Sequence, residues 1–296
     1  MTKRTKIQNY TEYISLRIVI FFIRLPPFKL AVKIGEFIGI ISFYLINFRR
    51  SHVIDMLTQS FPKKSKAEIE RIARNTYKNF ARTVVEIMFF SIMADEEIKK
   101  LFVYTNEDLV KKSHAAGKGV ILMSAHLGNW ELTGLACSKI YPMSAVVANQ
   151  SNVLVDKMID NVRTNQGFAT ISRDGMAFRS VMKALKRNEI VVFLADQDAG
   201  PHGVFVPFFG RSTSTPKGAA IFALRVKCPI IIVLGVRQKN GVIKVNFTEV
   251  PMPNTGNEDK DIEAINTFYL KKLESIVREY PEQWFWFHRK WKTRPE

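Results

Sequence analysis

The apolar run Gly119-Val120-Ile121-Leu122-Met123 leads straight into Ser124-Ala125-His126-Leu127-Gly128-Asn129-Trp130-Glu131. A short apolar run closed by turn residues reads as a buried strand. It delivers His126 at its carboxyl end and places Glu131 in the first turn of the following helix. On one continuous helix, residues five apart lie roughly 140° apart at about 100° per residue, so only a strand-to-helix turn brings the two together. There Glu131 is expected to fold back on His126, keeping one ring nitrogen protonated and the other free to accept a proton. By itself, His-x-x-x-x-Glu equally describes a core or capping histidine.

Alternating patterns place that turn in one doubly wound or mixed α/β domain behind a helical amino-terminal region. Ser65 to Phe90 is expected to be a helix, opened by the capping box Ser65-x-x-Glu68, with Ile69, Ile72, Tyr77, Phe80 and Val84 near helical spacing. Strands are expected at Val120–Ala125, Ala145–Ala148, Ile190–Ala195, Ile230–Val236 and Val242–Phe247, with helices between them. Thr215-Pro216 suits a helix start, Thr as cap and Pro in the first turn. Pro251 to Asp259 is the clearest loop. Open α/β sheets hold their sites beyond the carboxyl ends of strands, where His126 and Asp196 both fall.

At 296 residues the chain can bury a sizeable core. Its net charge of +17 calls for an anionic partner: nucleic acid, an anionic membrane surface or an acidic carrier protein. Cys137 and Cys228 lack metal-ligand spacing and are expected to be reduced core residues. No cleavage site for a secretory signal follows the first apolar segment. Ile14 to Leu25 is apolar but interrupted by Arg17 and Arg24, and Phe37 to Phe48 is an uncharged run flanked by Glu36 and Arg49-Arg50. About 20 apolar residues are needed for a span. The segments therefore suit a basic amphipathic anchor in one leaflet, a pair of core helices, or one tilted membrane helix from residues near 14 to 48.

The His126–Glu131 block, with Gly128, Asn129 and Trp130, resembles the motif of the glycerolipid and lysophospholipid acyltransferase superfamily. More narrowly it resembles the bacterial late acyltransferases of lipid A assembly, the lauroyl and myristoyl transferases. Further blocks resemble that subfamily in the same order. They are Arg49-Arg50 with Phe61-Pro62, Arg163 with Gly167, Ala195-Asp196-Gln197-Asp198, Gly203 to Gly210, Thr215-Pro216-Lys217-Gly218, and Pro281 to Lys292. One departure stands out. Where many members carry Tyr-Arg-Pro, this chain has Ala148-Asn149-Gln150, which touches acceptor recognition and not the acyl transfer.

The resemblance implies a mixed open sheet with flanking helices, residues 61–296, behind a helical membrane-associating region, residues 1–60. It implies an O-acyltransferase on the cytoplasmic face of a bacterial inner membrane. An acyl group would pass from an acyl carrier protein or coenzyme A thioester, a co-substrate and not a cofactor, to a hydroxyl of a phosphorylated lipid A precursor. His126 would be the general base and Glu131 its partner. Arg163 would bind an acceptor anion or the oxyanion, and Asp196 and Gln197 would orient Arg163 or hold a sugar hydroxyl. The chain has no Gly-x-Ser-x-Gly elbow, so direct transfer is expected without an acyl-enzyme. Phe205 to Phe209 would offer apolar surface to an acyl chain. Trp284, Trp286 and Trp291 among Arg289, Lys290, Lys292 and Arg294 suit a membrane–water boundary, and equally a single-strand nucleic-acid surface. A basic binding protein without catalysis would leave the His126–Glu131 spacing unexplained; with acyl transfer no nucleic-acid partner is expected. An acyltransferase for another glycolipid or lysophospholipid is the nearer alternative.

Overall fold

A computed structural model describes residues 5–295. Four helices come first: α1 (Lys6–Arg24), α2 (Phe28–Ile41), α3 (Arg50–Ser60) and α4 (Lys66–Phe90). Then follow α5 (Asp95–Lys100), β1 (Phe102–Thr105), α6 (Asp108–Ala115), β2 (Val120–Ser124), α7 (Trp130–Ser138), β3 (Met143–Val147), α8 (Val153–Asn165), β4 (Phe168–Ser172), α9 (Ala177–Lys186) and β5 (Ile190–Leu194). The chain ends with β6 (Val204–Phe208), β7 (Arg211–Thr215), α10 (Gly218–Val226), β8 (Ile230–Arg237), β9 (Ile243–Glu249) and α11 (Glu258–Glu279). Seven strands form a mixed sheet in the order β1-β9-β8-β2-β5-β3-β4, and only β8 and β9 run antiparallel.

The expected α/β architecture is therefore present, and β2 lies at its centre. All five residues of β2 are buried. Alternate side chains go to opposite faces: Ile121 and Met123 join the core under α3, α9, α10 and α11, whereas Val120 and Leu122 join the core under α6 and α7. That two-sided burial is why the strand is an uninterrupted apolar run. The edge strands β1 and β4 are half-exposed and polar-mixed, which hid them from the pattern.

α4 opens as expected. Ser65 Oγ accepts from Glu68 N at 3.3 Å, and Glu68 Oε2 accepts from Ser65 N at 2.8 Å. The helix start at Thr215-Pro216 is not found. Thr215 instead ends β7, paired with Val204, and α10 begins at Gly218. A two-residue turn decides this: Phe209 and Gly210, at φ of 52° and 70°, fold β6 onto β7 as a hairpin and draw Thr215 into it. Phe208 and Phe209 are buried, against Trp284 and against Phe61 and Trp286. They are core residues and offer no surface to an acyl chain.

At the amino terminus Pro26 and Pro27 separate α1 from α2, so no single helix runs from 14 to 48. α2 lies close along α4. A Cβ at Gly35 would sit 2.5 Å from Val85 Cγ2, and one at Gly39 would sit 2.6 Å from Tyr77 O. The far side stays uncovered: Ile14, Ile18, Phe21, Phe22, Leu30, Ile34, Phe37 and Ile38 are exposed, and α1 buries no residue. Arg24 turns inward, donating from Nε to Met88 O at 2.8 Å and from Nη2 to Ser91 Oγ at 2.7 Å. Among the described residues no single helix is long and apolar enough to cross a membrane; the segments Phe28–Ile46 and Arg50–Ser60, bent by 100°, reach that length only together. Cys137 and Cys228 are free and buried, and burial pushes their thiols up to about 12 and about 11.

Candidate active site

His126 follows β2 and Asp196 follows β5, adjacent parallel strands that end side by side. Asp196 Oδ1 lies 2.8 Å from His126 Nδ1, and Asp196 Oδ2 accepts from the His126 backbone N at 3.0 Å. Trp284 Nε1 donates to the same Oδ2 at 2.9 Å. This Asp is 2% exposed. Burial pushes its pKa up, but the His126 charge and the three hydrogen bonds outweigh that and hold it ionised below the ordinary value. Burial likewise pulls the His126 imidazole down, yet the Asp196 charge and hydrogen bond, with Glu131 adding, move it above its ordinary value. An ionised Asp196 at Nδ1 fixes the proton there and leaves Nε2 with a lone pair. Gln197 Nε2 is 3.3 Å from that Nε2.

The expected Glu131–His126 hydrogen bond is absent, and the partner of the ring is Asp196. Glu131 turns the other way, into a two-pronged pair with Arg163 of α8: Arg163 Nε to Oε2 at 3.1 Å and Nη2 to Oε1 at 2.5 Å. The reason is the turn itself. Gly128, at φ 58°, packs where a Cβ would be 2.5 Å from Gly235 O, and Asn129 Oδ1 caps α7 through Leu132 N at 3.1 Å. The cap starts α7 at Trp130, and Glu131 leaves the helix on the side of α8 while Trp130 covers the imidazole, with ring centres 5.2 Å apart. Asp196 and Gln197 accordingly meet His126, and neither orients Arg163.

The closing segment completes the site from behind. Leu127 and Trp284 form an antiparallel bridge, Phe285 N donates to His126 O at 3.0 Å, and Gly128 N donates to Gln283 O at 2.8 Å. Trp284 and Trp286 are buried and Trp291 is half-buried, so these indoles belong to the core and the site and not to a membrane boundary. Lys290, also buried, donates from Nζ to Gln197 O, Ser214 O and Thr215 Oγ1 at 3.2, 2.9 and 3.1 Å, and burial lowers its pKa to about 8. His288 accepts from Asp198 N at 2.8 Å as a neutral ring, burial having pulled its pKa to about 4. Sequence reasoning missed Trp284 as an Asp196 partner. The only signal was its place at the head of the aromatic run Trp284-Phe285-Trp286-Phe287.

Beside Glu131 and Arg163 opens a narrow slot of about 40 Å³ between the sheet and α7. Its walls are apolar, Leu122, Val192 and Val233 from the sheet with Gly134 and Phe168 at one side; a Cβ on Gly134 would stand 3.3 Å from Phe168 Cζ. A lone-pair nitrogen thus stands at the carboxyl end of a central strand, and across Trp130 from it a carboxylate–guanidinium pair borders an apolar slot. That set of groups suits proton removal from a hydroxyl next to an apolar substrate. Among the described residues no group of three or more metal-ligating side chains gathers.

A protein-family model described as bacterial lipid A biosynthesis acyltransferase matches residues 1–293. The chain is 26% identical over 272 residues to the lipid A biosynthesis palmitoleoyltransferase of Escherichia coli strain K12, covering 91% of this chain and 87% of that protein. It is 24% identical to the lipid A biosynthesis lauroyltransferase of the same strain, over 91% and 88% of the two chains. A phosphatidylinositol mannoside acyltransferase of Mycolicibacterium smegmatis is 23% identical over 60% of this chain and 58% of its own.

Proposed function

Because the chain belongs to the bacterial lipid A biosynthesis acyltransferase family, and is thus an O-acyltransferase, we propose that His126 and Asp196 deprotonate a hydroxyl of a phosphorylated lipid A precursor for direct attack on an acyl thioester. The observation that carries this reading is the buried Asp196 at His126 Nδ1, which leaves Nε2, faced by the Gln197 amide at 3.3 Å, as the proton acceptor. His126 Nε2 takes the hydroxyl proton as the oxygen attacks the thioester carbonyl. The tetrahedral intermediate collapses, the C–S bond breaks, and the imidazolium returns the proton to the leaving thiolate. Asp196 stays ionised and steadies the imidazolium between the two steps.

The apolar slot beside Glu131 takes the end of the fatty chain of the donor, an acyl carrier protein or coenzyme A thioester. Glu131 and Arg163 form its polar rim. Glu131 holds the guanidinium plane in place by two hydrogen bonds, and Arg163 offers its remaining N–H groups to a phosphate of the acceptor or to the oxyanion. Gln197 supplies an amide beside the reacting hydroxyl. The exposed apolar side of α1 and α2 supports docking on the cytoplasmic face of an inner membrane, from which a lipid acceptor reaches the site without crossing water. Ala148-Asn149-Gln150, exposed in the loop between β3 and α8, keeps another glycolipid acceptor in view.

The test is transfer of a labelled acyl group from defined thioesters to a lipid A precursor, with the product located by mass spectrometry. Turnover absent with every thioester, or unchanged in His126→Ala, would end this reading.

A further inference from the structure

We propose that Glu86 is a positioning residue of this reaction, acting through Asn129 to set where Glu131 and Arg163 stand relative to His126. The inference rests on the reading of His126 and Glu131 as one active site. Glu86 lies in α4, 3% exposed. Its Oε2 accepts from Asn129 Nδ2 at 2.9 Å and from Arg237 Nη2 at 2.6 Å, and its Oε1 accepts from Arg82 Nε at 2.9 Å. Arg82 continues to Glu36 of α2, Nη1 to Oε1 at 3.2 Å. Nearly one helical turn earlier, Thr83 Oγ1 donates to Gly128 O at 3.0 Å. Two consecutive residues of the turn between His126 and Glu131 are therefore held by side chains of α4.

Removing a carboxylate from water is costly, and an apolar side chain of similar size would fill the same space more cheaply. What the carboxylate adds is direction. Asn129 is fully buried, and its amide has two distinct ends. Oδ1 caps α7 at Leu132 N only while Nδ2 points at an acceptor, and Glu86 is the acceptor present. Without it the amide is free to flip, NH2 faces the N–H it should accept from, and the cap is lost. Glu131, the second residue of α7, then loses its fixed starting point, and the Arg163 fork that closes on it moves as well. Glu86 itself touches no reacting atom.

The experiment uses the full chain in detergent micelles with a lauroyl thioester and a phosphorylated lipid A precursor. It compares two pairs of substitutions that both remove the buried ion pair, Glu86→Leu with Arg237→Met and Glu86→Gln with Arg237→Met. The second keeps an acceptor oxygen for Asn129. We expect the Leu/Met protein to fold, to keep its KM for the thioester and to lose about 10²-fold in kcat, with about tenfold recovered in the Gln/Met protein, the range for small displacements of a catalytic constellation. In a Glu131→Ala background the difference between the two pairs should vanish, because both act through Glu131. Equal kcat in the two pairs, whether high or low, or the same difference in both backgrounds, overturns the proposal. If neither pair falls while His126→Ala is dead, this proposal alone fails; if His126→Ala is active, the site reading fails with it.

Discussion

Asp196 Oδ1 reaches His126 Nδ1 at 2.8 Å across 70 residues of sequence, while Glu131, five residues from His126, binds Arg163 instead. The carboxylate nearest in sequence is thus not the one that sets the tautomer. The closer relationship in space is made by two neighbouring parallel strands ending at the same level.

The pair predicts a pH profile. His126 works as a base only when neutral, and Asp196 raises its pKa, so kcat should fall as pH drops through that raised value. Asp196→Asn removes the charge and leaves burial, which acts in the opposite direction, so the acidic limb should move to lower pH as the plateau falls. His126→Ala should lower turnover about 10²- to 10⁴-fold. For stability the sign is reversed in position: a raised folded pKa stabilises fully below the ordinary histidine value and is lost as pH rises through the raised one. Rate profiles of parent and Asp196→Asn proteins, beside melting curves, check both.

Arg163 should not tolerate lysine. A single ammonium cannot keep both contacts to Glu131 and still present N–H groups to an anion. Arg163→Lys should therefore impair acceptor use at saturating thioester. Dephosphorylating the acceptor should weaken the parent strongly and the variant little. Equal losses in both would assign Arg163 to the oxyanion or to holding Glu131 alone.

Acyl-chain length should respond at Gly134. Any side chain there meets Phe168 and fills the cavity, so Gly134→Leu should shift preference to shorter acyl thioesters. Each methylene denied burial is worth about 0.8 kcal/mol, and two fewer should change the kcat/KM ratio about tenfold or more. Competition between thioesters of different length, read by product mass, measures it.

Membrane recovery should fall with added salt, since the +17 charge is screened, but a fraction held by α1 and α2 should need detergent. Phe21→Ser with Phe22→Ser, both on the uncovered side of α1, should shrink that fraction with little change in thermal stability. Full release of the parent by salt alone would contradict apolar insertion. Vesicle flotation at stepped salt concentrations gives the answer.

What the sequence determined by itself is what depends on short range. β2 is legible because a strand buried on both faces must be apolar throughout, α4 because its capping box lies three residues apart, and the family because its blocks keep their order. The candidate residues His126, Glu131, Arg163, Asp196 and Gln197 were singled out by the same route. Which of them touch was decided by tertiary structure alone. Hydrogen bonding is angular and short, and a partner is whatever the sheet order and helix caps bring within about 3 Å; no spacing along the chain encodes that β2 neighbours β5. The tryptophans show the same limit, since Trp284 and Trp286 look like boundary residues until the chain turns back and buries both, Trp284 against Asp196 and Trp286 against Phe61 and Phe209. Glu86 left one faint mark, a carboxylate at helical spacing from Ile69, Ile72, Thr76 and Thr83 on the buried side of α4. A charge on an apolar stripe signals that a partner must exist, but only the fold names it, as Asn129 and two arginines.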